Sequence, residues 1–128
     1  MSAVAARARS ESLQRIWRAV ASIPAGQVVS YGGVARRAGL PGRARLVGHA
    51  LKVAPPELEL PWHRVVNASG RISFPPGSPP YALQRRRLLA EGVRLRGATV
   101  VRDALVSSAD LDRLLWGPQR HPPARRGR

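Results

Sequence analysis

The sequence predicts a small, mostly α domain with short strands, organised on a helix-turn-helix pair. Three observations carry that expectation. A chain of 128 residues with 44% hydrophobic content suits one domain with one modest core. Four stretches have helical character, each stopped by glycine or proline. The second and third are joined by the short turn Gly39-Leu40-Pro41-Gly42, the pattern of a helix-turn-helix.

In chain order, residues 1–9 read as a disordered leader, 10–117 as the domain, and 118–128 as a disordered basic tail. Ser10 with Glu11 offers an N-cap and an acidic first turn for a helix carrying Leu13, Ile16, Trp17 and Val20, which stops at Ile23-Pro24-Ala25-Gly26. Gln27-Val28-Val29 is a short extended piece. Ser30 then caps a second helix, about Tyr31 to Ala38, closed by Gly39 as a left-handed residue. The third helix runs from about Arg43 to Val53 and ends at Ala54-Pro55-Pro56.

Laid out at about 100° per residue, Ala44, Arg45, Gly48, His49 and Lys52 of the third helix share one face, and Leu46, Val47, Ala50, Leu51 and Val53 share the buried one. The first face combines very small residues with cationic ones. A helix so built can approach a nucleic acid closely and meet its phosphates.

Pro61-Trp62-His63-Arg64-Val65-Val66-Asn67 reads as the floor of a binding pocket: Pro61 stiffens the entry to Trp62, and Val65-Val66 form a short buried strand. Asn67-Ala68-Ser69-Gly70 is a turn. The stiff loop Pro75-Pro76-Gly77-Ser78-Pro79-Pro80 is expected to wall the same pocket. Tyr81 to Glu91 is a fourth helix with Leu83, Leu88 and Leu89 inward and Arg85, Arg86 and Arg87 as a cationic run. Val93 to Val106 reads as short extended or irregular pieces, followed by a last helical turn capped by Ser107 and Asp110, with Trp116 packing back.

Composition narrows the function. Twenty-two basic residues against seven acidic ones give a formal charge of +15, which points to a polyanionic partner and foremost to nucleic acid. The chain has no cysteine, so disulfides, thiolate metal sites and thiol nucleophiles are excluded. No apolar run approaches the roughly 18 residues of a membrane span, and no signal-peptide pattern is present, so a soluble, cytoplasmic monomer with no membrane partner is expected, nucleoid-associated if bacterial. Neither a metal nor a cofactor is expected.

Four runs, in order, carry a resemblance: Ile23-Pro24-Ala25-Gly26-Gln27-Val28-Val29-Ser30-Tyr31-Gly32, Ala44-Arg45-Leu46-Val47-Gly48, Pro61-Trp62-His63-Arg64-Val65-Val66, and Ala90-Glu91-Gly92-Val93. The segment from Ile16 to Val93 resembles the C-terminal, winged-helix-like DNA-binding domain of the O6-alkylguanine-DNA alkyltransferases. In that family the position of Trp62 is the cysteine that accepts the alkyl group, and His63 and Glu91 match its activating histidine and orienting glutamate. The relay is thus a relict without its nucleophile. An indole does not replace a thiolate, because its N–H is only a donor and its carbons are too weakly nucleophilic.

Tryptophan at this position marks the alkyltransferase-like proteins, which bind O6-alkylguanine in double-stranded DNA without repairing it and flag it for nucleotide excision repair proteins. The resemblance implies that the helix carrying Arg45 enters the minor groove with Ala44, Gly48, His49 and Lys52 on its DNA side. It gives Tyr31 the rotation of the 3′ phosphate and Arg45 the filling of the vacated stack. The flipped base would enter a pocket of Trp62, His63, Arg64, Val65, Ser73, Phe74, Pro75 and Pro76. Two positions depart from relatives: Phe74-Pro75-Pro76 stands where some carry a base-stacking arginine, and Ala54 matches an asparagine hinge. Two other readings remain. One is a small sequence-specific regulator, although Ala44 and Gly48 offer few side chains to read base edges. The other is an acid–base enzyme on His63 and Glu91, which has no serine nucleophile or metal constellation beside it.

Overall fold

The computed structural model describes residues 3–101. The last helical turn, Trp116 and the basic tail expected from the sequence lie outside these residues.

Helix α1 spans Ala3–Ala21 and buries Ile16, Ala19 and Val20. It starts seven residues before Ser10, so the expected leader is helical from Ala3 onward. Residues 3–9 are alanine, valine and arginine; alanine and arginine are among the best helix formers, and nothing in the run stops a helix. Their side chains are exposed, so propensity rather than burial extends the helix.

Strand β1, Val29–Ser30, leads directly into α2, Tyr31–Arg37. Ser30 is the N-cap, its Oγ accepting from the Gly33 N–H at 3.0 Å. A side chain at Gly33 would meet Val29 Cγ1 at 2.9 Å, so only glycine lets the first turn close on the strand. Gly39, at φ +79°, ends this helix as expected.

Helix α3, Ala44–Lys52, packs back on α1 and α2. Its inner face carries Val47 and Ala50, with Leu46 and Leu51 partly buried. Val53, expected on that face, is 45% exposed because the helix ends at Lys52 and the chain turns away before Pro55. The Trp17 indole N–H donates to the Ala50 carbonyl at 2.8 Å, tying α1 to α3.

A 3₁₀ turn at Pro56–Leu58 ends on Glu59, at φ 47° the one non-glycine residue with positive φ among those described. A second 3₁₀ turn, Trp62–Arg64, runs into β2, Val65–Val66, which pairs in parallel with β1 in the register Val29↔Val65 and Ser30↔Val66. In the following turn Asn67 Oδ1 accepts from the Ser69 and Arg71 N–H groups, both at 2.9 Å.

Helix α4 is Pro79–Ala90. Pro79 and Pro80, read from the sequence as loop, open it, because proline is tolerated in a first turn whose N–H groups have no intrahelical partner. Ser78 caps it. Gln84 and Leu88, four residues apart, are buried; Leu89, expected inward, lies about 100° further round and is 45% exposed. Strands β3, Leu95–Arg96, and β4, Thr99–Val100, close an antiparallel hairpin over Gly97.

Two hydrophobic clusters result among the described residues. One gathers Ile16, Val20, Val34, Ala35, Val47 and Ala50 of the three helices with Val29 and Val65. The other holds Val28, Val66, Ile72, Leu88, Val93 and Val100.

Candidate nucleic-acid interface and pocket

Trp62 sits where α3, the 3₁₀ turn after Pro61 and α4 meet. Its ring stands edge-on to Phe74, with centroids 6.1 Å apart at 88°, and to His63, at 6.2 Å and 90°. The Arg87 guanidinium lies 5.6 Å from the ring centroid, a cation–π contact supplied by α4. Aromatic neighbours and a stacked cation hold the indole as a fixed wall.

On one side of Trp62 opens a cleft of about 360 Å³, within the span of small-molecule sites. Tyr31 of α2, Gly48, Leu51 and Lys52 of α3, Val65, Phe74, and Pro80, Leu83 and Gln84 of α4 complete its lining. A second cleft of about 420 Å³ also reaches Trp62 and is lined by Leu51, the segment from Ala54 to Pro56, Glu59, Leu60 and Arg87.

Of the residues expected in the pocket, Trp62, Val65 and Phe74 line the first cleft. His63 and Arg64 do not: in the tight 3₁₀ turn they point to the opposite side, toward Glu91. Ser73, Pro75 and Pro76 do not line it either; Ser73 instead shares a 3.1 Å hydrogen bond between hydroxyls with Tyr31. The outer wall comes from α4, whose first turn already includes Pro80. The sequence reading missed Gln84, whose signal was its place in the spacing Tyr81, Gln84, Leu88 on the inward stripe. It is 1% exposed, and its Nε2 donates to the carbonyls of His63 and Val65, each at 3.0 Å. One amide therefore clasps the middle of the turn that aims Trp62 and its exit into β2.

Glu91 gathers the other side. Arg64 Nε donates to its Oε1 at 3.0 Å and Arg64 Nη2 to its Oε2 at 2.6 Å, while Arg64 Nη1 donates to the Ile23 carbonyl at 2.7 Å. The Gly26 N–H donates to Oε1 at 3.1 Å. His63 Nε2 lies 2.8 Å from Oε2, so with the carboxylate ionised Nε2 carries the proton and donates. Burial alone would raise the Glu91 pKa, but the hydrogen bonds from Arg64, His63 and Gly26 together bring it down to about 2. His63 Nδ1 is buried without a partner among the described residues. The expected histidine–glutamate pair is therefore in contact, and the aromatic ring of Trp62 stands edge-on beside it.

The outer face of α3 presents Arg45, His49 and Lys52, all exposed, with Ala44 and Gly48 between them. A Cβ at Gly48 would meet nothing within 4 Å, so packing inside the domain does not require the glycine. It lines the first cleft, where its missing side chain leaves room for an approaching molecule. Among the described residues no group of histidine, cysteine and carboxylate side chains is placed to hold a metal, and no helix is long and apolar enough to cross a membrane.

Residues 11–93 match the family described as the 6-O-methylguanine DNA methyltransferase DNA-binding domain. The chain is 47% identical to the DNA base-flipping protein of Escherichia coli (strain K12) over 103 residues, 80% of this chain and 72% of that protein. It is 44% identical to alkyltransferase-like protein 1 of Schizosaccharomyces pombe over 85 residues, covering 66% and 79% of the two. The crystal structure of S. pombe Atl1 with damaged DNA containing O6-carboxymethylguanine superposes with a TM-score of 0.61 at 42% identity, over 68% of this chain and 81% of that one.

Proposed function

We propose, since the chain belongs to the family of the 6-O-methylguanine DNA methyltransferase DNA-binding domain, that it recognises O6-alkylguanine in double-stranded DNA and holds the lesion without repairing it. The observation that carries this reading is the aromatic-walled cleft beside Trp62. It opens next to Gly48 and Lys52, on the outer side of α3, and its lining is predominantly apolar. An alkylated base gains more from such walls than an unmodified one, because its O6 substituent leaves water for apolar contact.

The O6 group of a stacked guanine cannot be enclosed inside a duplex, so the base has to leave the stack. With α3 in the minor groove, Gly48 and Ala44 permit close approach and Lys52 meets a phosphate. Arg45 takes the space of the departed base. Tyr31, whose hydroxyl is held by Ser73 at the cleft, turns the 3′ phosphate. The flipped base then lies against Trp62, Val65 and Phe74.

No step breaks the alkyl–oxygen bond. The chain has no cysteine, and the His63–Glu91 pair has beside it only the edge-on Trp62 indole, which has no free lone pair to displace the alkyl group. Arg64 compensates the Glu91 charge and His63 hydrogen-bonds to it, so the cluster serves as a strut under the turn carrying Trp62. The bound lesion persists, and the complex marks it for nucleotide excision repair proteins.

The test is competition between two identical short duplexes, one carrying a single O6-methylguanine, at near-physiological salt, with mass spectrometry of the recovered strand. The damaged duplex should bind more tightly and return with its methyl group intact. Equal binding to both would reduce the affinity to charge alone, and a demethylated product would restore an enzymatic reading.

A further inference from the structure

The proposed lesion site occupies one side of the three-helix layer, yet much of the positive charge lies elsewhere. Helices α1, α2 and α3 pack around Ile16, Val20, Val34, Ala35, Val47 and Ala50. The groove between α1 and α2 therefore lies across that core from the outer face of α3. It forms a cleft of about 340 Å³ lined by Arg15 and Arg18, one turn apart on α1, and by Arg37 at the end of α2. The other described lining residues have small side chains: Ala19, Ala21, Ser22 and Ala38. Arg15 Nη2 donates to the Gly39 carbonyl at 3.4 Å, which steadies its guanidinium at the cleft.

We propose that this groove is a second phosphate-binding surface, which takes the backbone of another DNA segment while α3 holds the first. Two arguments select that occupant. The ends of α1 and α2 that meet here carry about half a negative charge each, whereas the exposed Arg15 and Arg18 alone bring two full positive charges, so the cleft stays cationic. A protein partner would need large aromatic or aliphatic anchors at its centre, and the described lining of this cleft has none, whereas a phosphate backbone needs only charge and donors. Guanidinium groups meet phosphate oxygens with two hydrogen bonds each. A molecule with two such faces can pass between DNA segments without first returning to free solution.

The experiment uses the full chain. A duplex with one fluorophore is bound first, a second duplex with the matching acceptor is added at low salt, and energy transfer reports the two-duplex complex. In parallel, the dissociation rate of the first duplex is followed against increasing unlabelled DNA. The wild type should form the ternary complex, and its dissociation rate should rise with competitor. R15Q/R18Q should weaken capture of the second duplex about tenfold or more while binding a single duplex through α3 as the wild type does. Arg18→Glu alone, at an exposed position, should do the same and guards against a folding effect of losing the Arg15–Gly39 bond.

R85Q/R86Q, which removes equal charge from α4, should leave capture unchanged. If it reduces capture as much as R15Q/R18Q, the effect is general charge and the groove assignment fails. Failure of the wild type to capture a second duplex would also overturn it and leave an acidic protein surface as the groove's occupant. Both readouts work with undamaged DNA, so they do not depend on the lesion reading.

Discussion

Replacing Glu91 by glutamine removes a charge but keeps the shape of the side chain, and the structure sets the size of its effect. The Glu91 pKa falls from 4.5 to about 2 on folding, a net lowering that at about 1.4 kcal/mol per unit amounts to about 3 kcal/mol of stability. The side chain is only 17% exposed, so solvent screening takes little of this away. Because the folded-state pKa is the lower one, the contribution is fully present above pH 4.5 and disappears as pH falls from there toward 2.

Urea unfolding of wild type and Glu91→Gln at steps between pH 7 and pH 2.5 measures it. At pH 7 the variant should be about 3 kcal/mol less stable, with the gap closing at up to about 1.4 kcal/mol per pH unit below pH 4.5. Carboxylates elsewhere act on both proteins and cancel in the difference. A gap that stays constant down to pH 2.5 would show that the Arg64–His63–Glu91 cluster contributes packing and no charge coupling, and the pKa argument would be refuted.

Arg45→Ala should lower affinity for an O6-methylguanine duplex about tenfold or more while leaving the melting temperature unchanged, because the side chain is exposed. Unchanged affinity in the same competition assay would remove Arg45 from the flipping step. Gln84→Leu strands the buried carbonyls of His63 and Val65 and should cost about 1–3 kcal/mol by urea unfolding. It should also weaken lesion binding more than binding to undamaged DNA, since the turn beneath Trp62 loses its clasp. Equal loss on both duplexes would confine Gln84 to stability.

The helix-turn-helix pair was legible because its signals are local. Ser30 caps, Gly39 turns the chain and the α3 faces follow from spacing, so each element could be assigned without knowing its neighbours. The pairing of His63 with Glu91 was also foreseen, but only through resemblance, since 28 residues separate them. The errors lie where one residue of register or a competing preference decides. Leu89 and Val53 needed helix phase and helix end to within a residue. Pro79 and Pro80 satisfy both a stiff loop and a first helical turn, and Ser78 as a cap settles the choice. Gln84 was hidden because a buried glutamine is legible only when the carbonyls it serves are known.

The parallel pairing of Val29–Ser30 with Val65–Val66 is only two residues long on each side, but it stands between the two hydrophobic clusters. Val29 and Val65 belong to one cluster, and Val28 and Val66 to the other. The same short rung also joins the cap of α2, and so Tyr31, to the strand that follows Trp62. The rung therefore couples α2 and the turn carrying Trp62 through one shared wall. Loosening either cluster disturbs that wall, so the amides of this rung should be among the slowest to exchange with solvent. In the proposed complex, this rung would leave to the DNA the bending that admits a flipped base.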